Sequence, residues 1–362
     1  FEQEGQNPLL VMPSAPAQDS RAGASGGENL EDLLAEWLAA CRRFDERAAE
    51  QVATTALSLY PVETVLAGLF QKGLARIGDG WYRGEVTVQQ EHFASALALR
   101  RLDALIAAAA LPTRRGRILL ACPPKEDHTF SALMLTLLLR RKGWDVVYLG
   151  ANVPVQQLAQ TIEQVAPKLV VLTAMHLQSA ASLMEMAEFV KQFEVPVVFG
   201  GLAFNRIEGL AQRIHGEFLG DNLLDAVGRI EQAIEVGITE KKTTPQTKAV
   251  KATRDMFRER RAQIDARMRQ QEGGPVGIRE HLPVANGQLG NDIDAALSLG
   301  GMPFLGEDVE WIRAYLENLN IPPAALSQYL HAYAKAVKAE MGEAGTTVAG
   351  WLDDRAGALV ST

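Results

Sequence analysis

The apolar run 117–121 leads into Cys122-Pro123-Pro124-Lys125-Glu126-Asp127-His128-Thr129-Phe130-Ser131, which sets one imidazole two residues after a carboxylate. That spacing suits a metal-ligating histidine. A ligating imidazole usually donates its second ring N–H to a carboxylate, which fixes the tautomer and raises the basicity of the ligating nitrogen. Glu126 is the expected partner of His128, with Asp127 the alternative. Read alone, such a histidine is more often an ordinary surface or capping residue, so its surroundings must decide. The cysteines Cys41 and Cys122 lie far apart in unrelated contexts and lack the spacing of a zinc site or a disulfide framework, as expected of a protein in a reducing cytoplasm.

The elements that hold this loop follow from periodicity. Residues 117–121, 145–149, 169–173 and 195–200 are short apolar runs that read as strands. They alternate with helical patterns over 131–142, 155–165 and 180–193, which is the βαβ pattern of a buried parallel sheet. His128 then sits at the carboxyl end of the first strand, the edge at which such sheets bind ligands. Upstream, apolar residues recur at helical spacing from Asn29 through Leu33, Leu34, Trp37 and Leu38, and again over 44–59, 61–77 and 86–110. These predict a packed four-helix domain, with Pro61 opening one helix and Gly78-Asp79-Gly80 forming a break. The predicted organisation is a flexible arm over 1–28, a helical cap over 29–112 and a Rossmann-like, flavodoxin-like domain over 113–238. A linker with a solvated helix follows over 239–300, then a smaller helical domain over 301–362, with helices at 307–319 and 324–341. The fold class is thus α/β plus all-α.

Composition narrows the function. Of 362 residues, 47% are hydrophobic, 22% charged and only 6% aromatic, the profile of a soluble, mainly helical chain. A net charge of −8 repels phosphate backbones, so nucleic acid is not an expected partner. Every long apolar stretch is broken by charge before the ~18 residues that a bilayer demands.

Three elements in order resemble the cobalamin-binding domain family, whose loop motif DxHxxG is followed by SxL and later by GG. Here they stand as Glu126-x-His128-x-x-Ser131, Thr173-Ala174-Met175 and Gly200-Gly201. Glu in place of Asp keeps the carboxylate, and Ser131 in place of Gly removes backbone freedom. The resemblance implies that His128 is the lower axial ligand to cobalt. It further implies a nucleotide tail in a slot lined by Thr173, Met175, Gly200 and Gly201, with Val153 in Leu149-Gly150-Ala151-Asn152-Val153-Pro154 at the corrin's edge.

Trp81 is followed, after nine residues, by Glu91-His92. This W-x9-EH pattern resembles the helical cap of adenosylcobalamin-dependent photoreceptors related to the CarH light-sensing repressors. It implies that Trp81 shields the upper face of the cofactor, that Glu91 accepts hydrogen bonds from ribose hydroxyls, and that His92 bonds the same group or ligates after it leaves. CarH-like repressors carry a histidine directly after the Trp, whereas this chain has Tyr82, which leaves His92, His176, water or no protein group for the upper position after photolysis. No helix-turn-helix pattern precedes the bundle, so a DNA-binding output is not implied.

The last domain concentrates Trp311, Tyr315, Tyr329, His331, Tyr333 and Trp351 in a chain otherwise poor in aromatics. A photoreceptor with such a domain resembles the photocobilin subfamily, which implies biliverdin held non-covalently, with Arg313 or Lys335 available to its propionates. The expected function is a light sensor, not an enzyme, that binds adenosylcobalamin, forms a homo-oligomer with light-dependent assembly, and is cytoplasmic. The rivals are a corrinoid carrier for methyl transfer and a cobalamin storage or chaperone protein.

Overall fold

The computed structural model describes residues 29–239, 243–270, 282–306 and 323–359. The described chain divides into two compact units, one holding residues up to 173 with 189–202 and 216–239, the other holding 174–188, 203–215 and the remainder. The expected arm over 1–28 and the expected helix over 307–319 lie outside the described residues.

The first unit opens with helices α1 (Leu30–Arg42) and α2 (Glu46–Leu59), each started by a side chain that accepts from an otherwise unpaired backbone N–H: Asn29 from Glu31 and Asp45 from Ala48. Next come the short α3 (Val62–Val65), a π-helical turn (Leu66–Gln71), α4 (Lys72–Tyr82) and α5 (Val88–Ala107). Gly78-Asp79-Gly80, expected to interrupt the helix, instead lies inside α4. Packing explains it: a Cβ on Gly80 would lie 2.7 Å from Val86 Cγ2, so the glycine permits the following turn to close against the helix. Thr87 and Gln90 then form a reciprocal capping box that starts α5.

Strands β1 (Arg117–Ala121), β2 (Asp145–Tyr148), β3 (Leu169–Thr173), β4 (Val197–Gly200) and β5 (Glu217–Phe218) form one parallel sheet in the order β2-β1-β3-β4-β5. All of β3 and β4 is buried, as a sheet covered on both faces requires. The two-residue β5 is too short to leave a period in the sequence. Helices α6 (Phe130–Arg141), α7 (Leu158–Val165), α8 (Leu177–Lys191), α9 (Leu202–Arg206) and α10 (Leu223–Val236) complete the alternation. This is the flavodoxin-like strand order, and it places a topological switch point between β1 and β3, whose carboxyl ends flank a crevice. Bundle and sheet share one core, running from Trp37 and Phe70 through Ala98 and Leu102 to Met134 and Leu120.

In the second unit, α11 (Lys248–Gln270) packs along α12 (Leu282–Leu299) and α13 (Pro323–Met341), and α13 packs along α14 (Thr346–Ala358). The charged α11, read from its composition as a solvated helix, buries Phe257, Ile264 and Met268 at helical spacing. Among the described residues, no helix is long and apolar enough to cross a membrane.

Candidate cofactor site

The loop after β1 folds back on itself to present His128. Glu126 is fully buried and accepts twice at Oε1, from the His128 backbone N–H at 2.8 Å and from His128 Nδ1 at 2.6 Å. Backbone and ring of one residue are thus clamped by a single carboxylate oxygen. With Nδ1 directed to Glu126, Nε2 is the nitrogen the ring can offer to a metal. His128 itself is only 10% exposed. Asp127, the alternative partner, is exposed and accepts from Asn152 Nδ2 at 3.3 Å.

The loop after β2 locks this arrangement. Asn152 donates its backbone N–H to the Glu126 carbonyl at 3.0 Å, and its Oδ1 accepts from the Lys125 N–H at 2.7 Å. Both Lys125 (φ 67°) and Asn152 (φ 54°) are in the left-handed region, strain that this pair of bonds holds in place. Val153, half-buried, donates to the Cys122 carbonyl at 2.9 Å. Across the switch point Cys122 Sγ lies 3.5 Å from Thr173 Oγ1. Burial pushes the Cys122 thiol up to about 11 against the opposing pull of the Thr173 hydroxyl, and burial likewise raises the Tyr148 phenol, so both stay neutral. Thr173 is in register with Gly200 on β4, and Gly201 follows at φ 119°, a backbone that only glycine adopts freely. Met175 lies on the half-buried segment after β3, in the second unit.

A second carboxylate–imidazole pair opens α5. Glu91 is 2% exposed, accepts from Ser95 Oγ at 2.7 Å and meets His92 Nδ1 at 2.6 Å, while His92 itself is largely exposed. Trp81, in the last turn of α4, packs edge-on against Tyr82 with ring centroids 5.2 Å apart. The structure brings Glu126, His128 and Val153 together in one set of loops and joins Thr173 to them through Cys122. Glu91 and His92 form a separate pair. Sequence reasoning missed Asn152 and Ser95. The i, i+4 spacing of Glu91 and Ser95 was the available signal for Ser95; for Asn152 nothing short of the fold was.

Of the aromatic residues singled out near the C-terminus, Tyr329 and Tyr333 are buried with ring centroids 6.2 Å apart. His331 and Lys335 face outward on the same helix, and His331 Nδ1 pairs with Asp353 at 2.9 Å. Trp351 lies under Arg355 at 5.2 Å. Trp311, Arg313 and Tyr315 lie outside the described residues.

Residues 33–106 and 116–217 each match a family model described as a B12 binding domain. The chain is 29% identical over 209 residues to the HTH-type transcriptional repressor CarH of Myxococcus xanthus, covering 56% of this chain and 70% of that protein. It is 39% identical over 121 residues to CarA of the same organism, covering 32% of this chain and 41% of that protein. The trimethylamine corrinoid protein of Methanosarcina barkeri is 23% identical over 220 residues, covering 58% of this chain and 99% of that protein.

Proposed function

We propose that this member of the cobalamin-binding family, related to the CarH and CarA repressors, is a light sensor that holds adenosylcobalamin at the carboxyl edge of its sheet beneath the helical bundle. The donor set fits the group: a carboxylate-clamped imidazole on the loop after β1, with Thr173 in register with Gly200 and the left-handed Gly201 following on the adjacent strand ends. When bound, adenosylcobalamin supplies a cobalt–carbon bond that visible light breaks. His128 would hold the cobalt through Nε2, and Glu126 accepts from the Nδ1–H so that the ligating nitrogen stays basic. Gly200 and Gly201 leave room for the nucleotide tail, Val153 lies at the corrin's edge, and Asp127 with Asn152 holds the loop shape.

The observation that carries the sensor reading is the Ser95–Glu91–His92 cluster. Ser95 and His92 hold the buried Glu91 carboxylate in one orientation, so the start of α5 offers ordered polar groups to the hydroxyls of a bulky upper group. Trp81 supplies a flat apolar cover that excludes water. Losing that upper group removes contacts from the α4–α5 turn, which rearranges the cap and with it the assembly of a homo-oligomer in the cytoplasm. No substrate is turned over, and neither nucleic acid nor membrane is required. Biliverdin serves as a second chromophore in the second unit, without covalent attachment, because both cysteines of the chain belong to the first unit. Absorption spectra of the adenosylcobalamin-loaded protein before and after green light test the sensor.

A corrinoid carrier for methyl transfer is the second reading, favoured by the match along 99% of the trimethylamine corrinoid protein. A methyl group gives the Glu91 cluster nothing to hold, so a carrier binds methylcobalamin as tightly as the adenosyl form.

A further inference from the structure

Helix α1 ends in a Schellman turn: the Asp45 N–H donates to the Ala40 carbonyl at 3.0 Å and the Phe44 N–H to the Cys41 carbonyl at 3.1 Å. The left-handed position of such a turn usually holds glycine, because a side chain there crowds the backbone. In this chain it holds Phe44, at φ 57°. A bulky residue in that region is an outlier, and strain that persists points to a use for the residue that keeps it. Burial is a small part of that use, since half of Phe44 is exposed.

The ring instead touches the helix that carries the Glu91 cluster. Phe44 packs edge-on against Phe93 of α5, with ring centroids 5.4 Å apart and planes at 67°. A second link runs beside the first. The Arg42 carbonyl, in the last turn of α1 where no intrahelical N–H can reach, accepts from Gln90 Nε2 at 2.7 Å. The same Gln90 amide accepts the Thr87 N–H at 2.8 Å, within the capping box that starts α5. Residues 90 and 93 lie on one face of the helix and bracket Glu91 and His92 in sequence. The α1–α2 corner thus grips the first turn of α5 at two points.

We propose that Phe44 is a positioning residue for the upper face of the cofactor. With the Arg42 carbonyl it fixes the rotation and height of the start of α5, so that Glu91 and His92 stand where a bulky upper group meets them. Phe44 acts through Phe93 and not on the ligand. The inference rests on the upper-group reading of the Ser95–Glu91–His92 cluster given above. It also accounts for the strain: glycine at 44 would suit the turn better, but it would leave α5 held at one point in place of two.

The test titrates the full chain with adenosylcobalamin and with methylcobalamin in darkness, and follows melting and hydrogen exchange of the cofactor-free protein. In Phe44→Gly the relieved backbone and the lost ring contact oppose each other, so the melting temperature is expected to stay within about 4 °C of wild type. The preference for adenosylcobalamin over methylcobalamin falls about three- to tenfold, the worth of one aromatic pair. In the free protein the amides of residues 91–95 exchange faster. Phe44→Tyr keeps the ring and restores both readouts to wild type. Gln90→Glu, which can retain the capping box but has no N–H for the Arg42 carbonyl, lowers the preference in the same direction. Phe44→Gly with wild-type preference and wild-type exchange at 91–95 would overturn the positioning role. Equal weakening of both cobalamins would overturn it too, and would assign Phe44 to stability alone. A preference lost in Glu91→Ala but kept in Phe44→Gly removes this inference and spares the upper-group reading. A wild type that binds the two cobalamins equally defeats that reading and this inference with it.

Discussion

Replacing Glu126 by alanine removes the acceptor for both the His128 ring N–H and the His128 backbone N–H, since both converge on Oε1. Two consequences differ in size. Loss of an outer-shell carboxylate behind a ligating histidine lowers metal affinity about 10–100-fold, or about 1.4–2.7 kcal/mol. The protein without cofactor also loses about 1–3 kcal/mol, because the part-buried His128 backbone N–H is left without its acceptor. Glu126→Gln separates these effects: its amide oxygen can still accept from both donors, so only the charge is lost. Charged hydrogen bonds are roughly twice as strong as neutral ones, so this variant is expected to stay within about tenfold of wild type. Equilibrium titration with cobalamin, followed by absorption, measures the affinities, and thermal melting of the free protein measures the stability. Wild-type affinity and an unchanged cobalamin spectrum in Glu126→Ala would refute the argument that this carboxylate orients His128.

Three further outcomes are expected. His128→Ala gives a base-off or water-ligated cobalamin spectrum and weaker binding, and an unaltered spectrum removes His128 from the lower position. Trp81→Ala and Glu91→Ala lower affinity for adenosylcobalamin more than for methylcobalamin in parallel titrations, whereas an equal loss of both favours the carrier reading. Burial pushes the Cys41 thiol up to about 12 and the Cys122 thiol to about 11. A raised thiol pKa means the folded state keeps a proton that the unfolded chain, titrating near 8.5, gives up, so these groups stabilise fully below that value and progressively less as pH rises toward 12. Both thiols should resist alkylation at pH 8 until the protein is denatured, and rapid labelling of the native protein contradicts their burial.

Much of this was readable without coordinates, for identifiable reasons. The parallel sheet announced itself because strands buried on both faces must be continuously apolar, as in Leu169–Thr173. The contact between His128 and Glu126 was legible because the two residues stand two apart in one loop. What stayed hidden depended on distant neighbours. Gly80 reads as a breaker until Val86 is seen to fold against it, and Asn152 acquires its place only when the loop after β2 meets the loop after β1. Composition made α11 look solvated, since three buried apolar residues are outnumbered by its charges, and it hid that Arg261 points inward over a glycine of α12.

The central claim, that the chain uses its cobalamin to sense light, is tested most directly by one spectrum. Protein loaded with adenosylcobalamin in darkness should change its absorption irreversibly to that of a cobalamin lacking the adenosyl group within a brief green exposure, with a simultaneous change in elution on size exclusion. A bound adenosylcobalamin whose spectrum changes under green light with no accompanying change in assembly or cap protection from hydrogen exchange would contradict it.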